Sequence, residues 1–283
     1  MIPKWLASLT AIFIISISAA SAQTREIAVT IDDLPFVRYG GTTSEQGLVQ
    51  VNAINAALAA HDIRATGFVI GNQINRNTAP ILNSFAAAGH RIGNHSWSHP
   101  SYDELTRRAF RRETRRTHRA LAPWIDTPLL YRFPYLHEGE TPQTKQAAEE
   151  VLAALGYTNV PVTIDNDEWR FNADYVDALT AGDTDLAQAI AEDYLEHMRE
   201  RTAHFQALGH QALGRDVKHI LLLHLNQINA DHLGTLLDWY ADNGWVFITV
   251  QEALTDPLYS APDLYAGARG LSQIERVMGQ QSD

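Results

Sequence analysis

The chain has 283 residues, 45% hydrophobic and 19% charged, an ordinary globular composition long enough for one large core. Its formal net charge of −11 argues against general nucleic-acid binding, which needs a basic face, and fits a neutral or cationic partner better than a strongly anionic polymer. There is no cysteine, hence no disulfide, thiolate ligand or cysteine nucleophile, and any metal must sit on His and carboxylates.

The first 22 residues read as a secretory signal peptide. Lys4 supplies the positive start, Leu6 to Ile17 is an apolar run short for a membrane span, and Ala20-Ser21-Ala22 is a small-residue cleavage site. Cleavage before Gln23 leaves a secreted or periplasmic chain with no stable membrane anchor. Residues 23–255 read as one domain and 256–283 as a wrapping tail or frayed end. Within the domain, Ile27 to Ile31 is the first strand. Val51, Ile54 and Leu58 at helical spacing predict a helix over 48–60. Ala65 to Ile70 is a strand, Ile81, Leu82 and Phe85 mark a helix ended by Gly89, and Arg91 to Gly93 is a strand delivering His95.

An arginine stretch follows: Arg107, Arg108, Arg111, Arg112, Arg115, Arg116 and Arg119. As a helix it sets Phe110, Thr114, Thr117 and Leu121 on one face and the arginines on the other. The functional reading is a patch for an anionic polymer such as an acidic cell-wall glycan, and a solvated helix face balancing an acidic protein is the simpler one. Leu129 to Phe133 is a strand, Thr144 to Leu155 a helix capped by Gly156, and Val160 to Ile164 a strand entering Asp165-Asn166-Asp167-Glu168-Trp169. Leu186 to Leu208 is a long helix, His219 to Leu223 an apolar strand ending at His224, and His232 to Tyr240 a helix. Trp245 to Val250 is the last strand, and a short helix starts at Glu252. Strands alternating with helices predict an α/β fold with a parallel sheet, open or barrel, of about seven units, fewer than the eight of a full barrel.

The residues that carry chemistry sit at or just after strand ends. Ala28 to Ile31 runs into Asp32-Asp33, whose side chains start in different directions, so that one can meet a metal while the other stays free as a base. His95 and His99 are four apart, and on a helical turn both imidazoles would face one side; with Asp33 they make a two-His, one-carboxylate set suited to zinc or another divalent first-row metal such as cobalt or nickel. Arg132-Phe133-Pro134-Tyr135 and Leu222-Leu223-His224 complete the series. Each element alone has a plainer reading: a polar turn for the aspartates, ordinary histidines for the pair, a surface arginine, a core histidine for His224.

Five motifs in this order resemble those of the polysaccharide deacetylases, the NodB-homology group of metal-dependent carbohydrate esterases, over residues 25 to 255. The resemblance implies a distorted seven-stranded (β/α) barrel in a single domain. It implies Asp32 as general base, Arg132 orienting it, and one zinc ion on Asp33, His95 and His99. It further implies His224 as general acid tuned by Glu168, the Tyr135 N–H toward the oxyanion, and Trp169 and Leu222 around an acetyl methyl. The chain departs from the family with Leu34 where Gly usually follows the two acids, which would narrow the groove. A second departure is Glu168 in place of Asp, which opens the tuning of His224 to Asp165 or Asp167. The expected activity is hydrolysis of N-acetyl groups on a glycan. The alternatives are an O-acetyl esterase, a hydrolase of a small non-sugar amide, and a non-catalytic metal-dependent glycan-binding protein. A two-carboxylate glycosidase fits less well, because adjacent aspartates cannot flank a glycosidic bond at the roughly 5–10 Å that chemistry needs.

Overall fold

The structure, a computed structural model, describes residues 24–279. The expected signal peptide lies outside them. In chain order the elements are β1 (Arg25–Leu34), α1 (Ser44–Ala60), β2 (Thr66–Val69), α2 (Ala79–Ala87), β3 (Arg91–Asn94) and α3 (Arg107–Ala120). They continue with β4 (Leu129–Tyr131), α4 (Pro142–Leu155), β5 (Tyr157–Asn159), α5 (Trp169–Ala181), α6 (Thr184–Leu213) and β6 (Lys218–His224). The described chain closes with α7 (Gln227–Asp242), β7 (Trp245–Ile248), α8 (Val250–Ala253) and α9 (Gln273–Met278). None of these helices is long and apolar enough to cross a membrane.

All seven strands lie parallel in one sheet, in the order β5-β4-β3-β2-β1-β6, with β7 paired to β1. β1 is the hub: Thr30 to Leu34 pair with β2, Glu26 to Asp32 with β6, and Arg25 to Ala28 with β7. Both of its faces are covered, which is why it reads as a nearly unbroken apolar run. The predicted strand Val160–Ile164 is not one strand. Pro161 has no N–H to give, and pairing breaks around it. The Val160 N–H donates to the Tyr131 carbonyl of β4 (2.8 Å), while Ile164 bridges Leu221 of β6 on the far side. One short segment thus touches both edges of the sheet, giving the seven-stranded α/β architecture its barrel-like form.

Strand alternation divides the interior from the outer core. Ile27, Val29 and Ile31 point outward into the main cluster with Val51 and Ile54 of α1, Ile81 of α2, and Leu233 and Leu236 of α7. Ala28 points inward and packs with Phe68, Leu130 and Ile220. The same inward row continues through Thr30 to Asp32 on β1, and through Leu222 to His224 on β6. Polar chemistry therefore begins where the apolar plug stops, at the C-terminal ends of the strands.

On α3 the expected inner face holds: Phe110, Thr114 and Thr117 are buried, as is Leu121 just beyond its end. The segment from 256 is anchored to the domain rather than frayed, at both of its ends. Leu258, Ile274 and Arg276 are buried, and the Gln273 N–H donates to the Val162 carbonyl (2.7 Å).

Candidate active site

Asp32 ends the inward row of β1 and is 3% exposed. Its Oδ1 accepts from Arg132 Nη1 at 2.9 Å. Arg132, itself buried, also donates to Thr30 Oγ1 (2.6 Å) and, through Nε, to the Val160 carbonyl (3.0 Å), and it lies over the Phe68 ring. The guanidinium is thus fixed by groups other than the carboxylate it serves. Burial pushes the Asp32 carboxyl up to about 6, with Asp33 adding to the rise, while Arg132 and His224 oppose it.

Asp33 leaves the row. The β1–β2 register shifts between Ile31 and Leu34, and Asp33 takes φ 61°. Against simple alternation, this brings its carboxylate into the same cleft as Asp32, whose own Oδ2 lies 3.7 Å from His95 Nε2. There Asp33 Oδ1 lies 3.6 Å from His95 Nε2 and 3.3 Å from His99 Nε2. The two histidines do not share a helical turn as their spacing suggested. Residues 95–99 form an irregular loop in which Ser96 (φ 65°) and His99 (φ 56°) turn the chain back on itself. The Asn94 and Ser96 side chains hold that turn by accepting from the backbone N–H groups of Ser96 and His99.

The donor set fits a divalent metal on grounds internal to the structure. His95 Nδ1 lies 2.9 Å from the Arg132 carbonyl, which can only accept, so Nδ1 carries the proton and Nε2 presents a lone pair. That lone pair faces Asp33 Oδ1, a buried oxygen with no hydrogen-bond partner. Two lone pairs in this position repel unless a cation lies between them. Burial, with the neighbouring His99 and Arg132 charges, holds the His95 imidazole well below its usual range, so a proton does not fill that role near neutral pH. Ligand atoms of Asp33, His95 and His99 all lie within 4.8 Å of one another.

His224 closes the inward row of β6, opposite Asp32 in register. Its Nδ1 is 3.2 Å from Glu168 Oε2, and its backbone N–H donates to Glu168 Oε1 at 2.8 Å. Glu168 is fully buried, and Asn229 (2.6 Å) and Asn226 (3.3 Å) also donate to its Oε1. Burial works against the imidazolium, but Glu168, with Asp33 and Asp32 beyond it, raises His224 to about 10. The extra methylene of Glu168 therefore reaches the histidine, and neither Asp165 nor Asp167 takes its place. Both of those line the cleft on the Trp169 side.

Tyr135, Trp169, Leu222 and His224 share one cleft of about 520 Å³ with Asp32, Asp33, His95 and His99. Arg132 and Glu168 stand behind it. Leu222 is nearly buried on the floor with Leu136 and Val162, while the Tyr135 and Trp169 rings are exposed at the rim. Leu34 does not narrow this cleft. It is fully buried, pointing back against Gly67, where a Cβ would come within 2.8 Å of it. Four contributors had no sequence reading: Thr30, the Asn226 and Asn229 amides, and Gly270. Gly270 also lines the cleft, so close to the Tyr135 carbonyl that a Cβ would overlap it. The asparagines had a local signal, since Asn226 caps α7 directly after the His224 strand.

A polysaccharide deacetylase family model matches residues 19–160. The peptidoglycan-N-acetylglucosamine deacetylase PgdA of Listeria monocytogenes is 27% identical over 172 residues, covering 60% of this chain. This chain spans about a third of that relative's length (32%). Among solved structures, the CE4 family pseudoenzyme from Bacillus anthracis aligns with a TM-score of 0.57 at 16% identity, over 82% of this chain and 66% of that one. The peptidoglycan deacetylase PdaC from Bacillus subtilis aligns with a TM-score of 0.54 at 18% identity, over 82% and 91%. These structural likenesses speak to the fold. From the family match and the ordered motifs, the chain belongs to the polysaccharide deacetylase family.

Proposed function

We propose that this chain is an exported, metal-dependent deacetylase that hydrolyses the N-acetyl amide of amino sugars in a glycan. The observation that carries the reading is the meeting, in one cleft, of a buried carboxylate and a partly buried imidazole at neighbouring strand ends, beside a three-ligand set. The two titrate far apart: Asp32 is ionised above about 6, and His224 keeps its proton until about 10. Separated pKa values of this kind assign base and acid between those limits. A pseudoenzyme among the structural neighbours shows that the fold alone does not guarantee turnover; here candidates for both proton-transfer roles are in place.

Bound on Asp33, His95 and His99, a zinc or similar divalent ion would polarise the acetyl carbonyl and acidify the attacking water. Asp32 takes a proton from that water, and Arg132 keeps the carboxylate oriented. The Tyr135 N–H faces the developing oxyanion. His224 delivers a proton to the leaving nitrogen, so that water and amide become acetate and a free amine. Leu222 and Trp169 flank the acetyl methyl. The test is acetate release by the mature protein from a panel of N- and O-acetylated glycans, after chelation and again after zinc is restored. Zinc-restored release from N-acetylated members supports the proposal. Release from O-acetylated members alone reassigns the bond, and no release with zinc bound overturns the enzymatic reading.

A further inference from the structure

α3 carries seven of the chain's 22 Lys and Arg residues within 14 positions, all of them arginine, and one acid, Glu113. Two arginines are accounted for. Arg107 pairs with Glu150 (2.8 Å), and Arg116 stacks over Trp97 at 3.7 Å. Glu113 accepts from the Ser98 N–H and hydroxyl at 3.0 and 2.9 Å. The helix therefore grips the loop between His95 and His99, whose two histidines line the cleft, although no residue of α3 lines the cleft itself.

The other five, Arg108, Arg111, Arg112, Arg115 and Arg119, are exposed, and among the described residues none of them forms an ion pair. At 3.6 residues per turn and 1.5 Å rise they fall in one stripe about 100° wide and about 16 Å long. A helix face that served only solvation would mix signs, as α6 does with Glu196 against Arg199 (3.3 Å). Here like charges recur at i+3 and i+4, and the first turn holds Arg107 and Arg108 but no acid, against the helix dipole. The local arrangement gives up helix stability for a single-sign face on a chain whose net charge is −11.

We propose that this stripe docks a carboxylate-bearing stretch of the glycan, so that the substrate is an acidic polymer carrying N-acetyl amino sugars. A guanidinium fork gives a planar carboxylate two parallel bonds, as Arg215 gives Asp256 in this chain (2.8 and 2.5 Å). The partner is a glycan because the stripe belongs to the helix that holds the metal-ligand loop; this part of the inference rests on the deacetylase reading. The global charge, which disfavoured an anionic polymer, is overridden locally.

The test is equilibrium binding of two labelled probes to the mature protein. One is a hyaluronan fragment, alternating N-acetylglucosamine and glucuronate; the other is a neutral N-acetylglucosamine oligomer. A variant with all five residues changed Arg→Gln keeps helix propensity. It is expected to bind the hyaluronan fragment about tenfold or more weakly, with a flatter dependence on salt, and the neutral oligomer unchanged. Should that variant not fold by circular dichroism, the five Arg→Lys changes are used, with weaker hyaluronan binding expected as the bidentate pairs are lost. Unchanged hyaluronan affinity in the variant that folds overturns the proposal. So does arginine-dependent binding of duplex DNA or polyphosphate that is tighter than that of hyaluronan. Binding needs no acetate release, so failure of the deacetylase reading leaves this readout intact.

Discussion

Glu168→Gln tests the acid side of the site with the least change of shape. Glutamine keeps an oxygen where Glu168 Oε1 accepts from the His224 N–H, Asn226 and Asn229, so the polar cluster retains its partners. What disappears is the charge facing His224 Nδ1. The difference between 6.5 and about 10 at His224 amounts to about 5 kcal/mol of preference for the imidazolium, at 1.36 kcal/mol per pH unit. Glu168 is the largest favourable contributor, and burial opposes it. Without the carboxylate, burial prevails and the imidazole loses its proton near or below neutrality. It sheds the charge rather than holding it unpaired, so the stability cost falls below the roughly 3–5 kcal/mol of a broken buried ion pair. Expected at pH 7.5 are a fall in kcat/KM of about 10²–10³, in keeping with loss of a general acid, and an alkaline limb moved down by about two pH units or more. The assay is a pH profile of acetate release by the zinc-loaded protein, with the His224 imidazole titrated independently by NMR. An alkaline limb and an imidazole titration both unmoved in the variant would refute the assignment of Glu168 as the group that charges His224.

Asp32→Asn should lower turnover by about 10²–10⁴ while zinc content, read by metal analysis, is unchanged; normal turnover with zinc bound would sink the base assignment. Asp33→Ala removes one of three donors, so zinc should be lost to a chelator at far lower concentration than from the parent, whose melting temperature should itself drop on metal removal; equal chelator resistance would remove Asp33 from the set. His219 is buried against Thr163 and Trp245, and burial lowers it to about 4. Its folded pKa lies below the unfolded 6.5, so stability is full above 6.5 and is lost as pH falls toward 4, by about 3 kcal/mol. Urea midpoints of His219→Gln should fall less steeply over that window than the parent's, and parallel curves would contradict this.

The alternation of strands and helices was legible because most strands carry an apolar run; β5, Tyr157–Asn159, carries none, and the expected strand fell just after it, at Val160–Ile164. The candidate site was legible because its side chains end those runs. The backbone that aims them was not. Asp33, Ser96, His99, Tyr135, Leu136 and Asp167 are six of the seven non-glycine residues with positive φ among those described, and all lie around the cleft. Such conformations are held by surrounding structure rather than by local preference, so a spacing argument put His95 and His99 on a helical turn that does not exist. α5 was also missed. Only Asn172, Tyr175 and Ala178 of its residues are buried, too narrow a stripe to announce a helix. Nor could periodicity show that Arg276 is buried and tied to Asp263 (2.8 and 2.6 Å), since nothing local marks a buried arginine.

The central place of β1 has a consequence for the order in which the molecule can assemble. The first strand of the described chain takes β6 and β7, at residues 218–248, as neighbours. Until those residues are available, only β2 can pair with it, and its apolar flank stays bare. Loop closure over such separations makes folding slow and leaves early chains open to aggregation. An unfinished chain of this topology cannot complete its own centre, so the native sheet closes around β1 only once residues 218–248 have joined it.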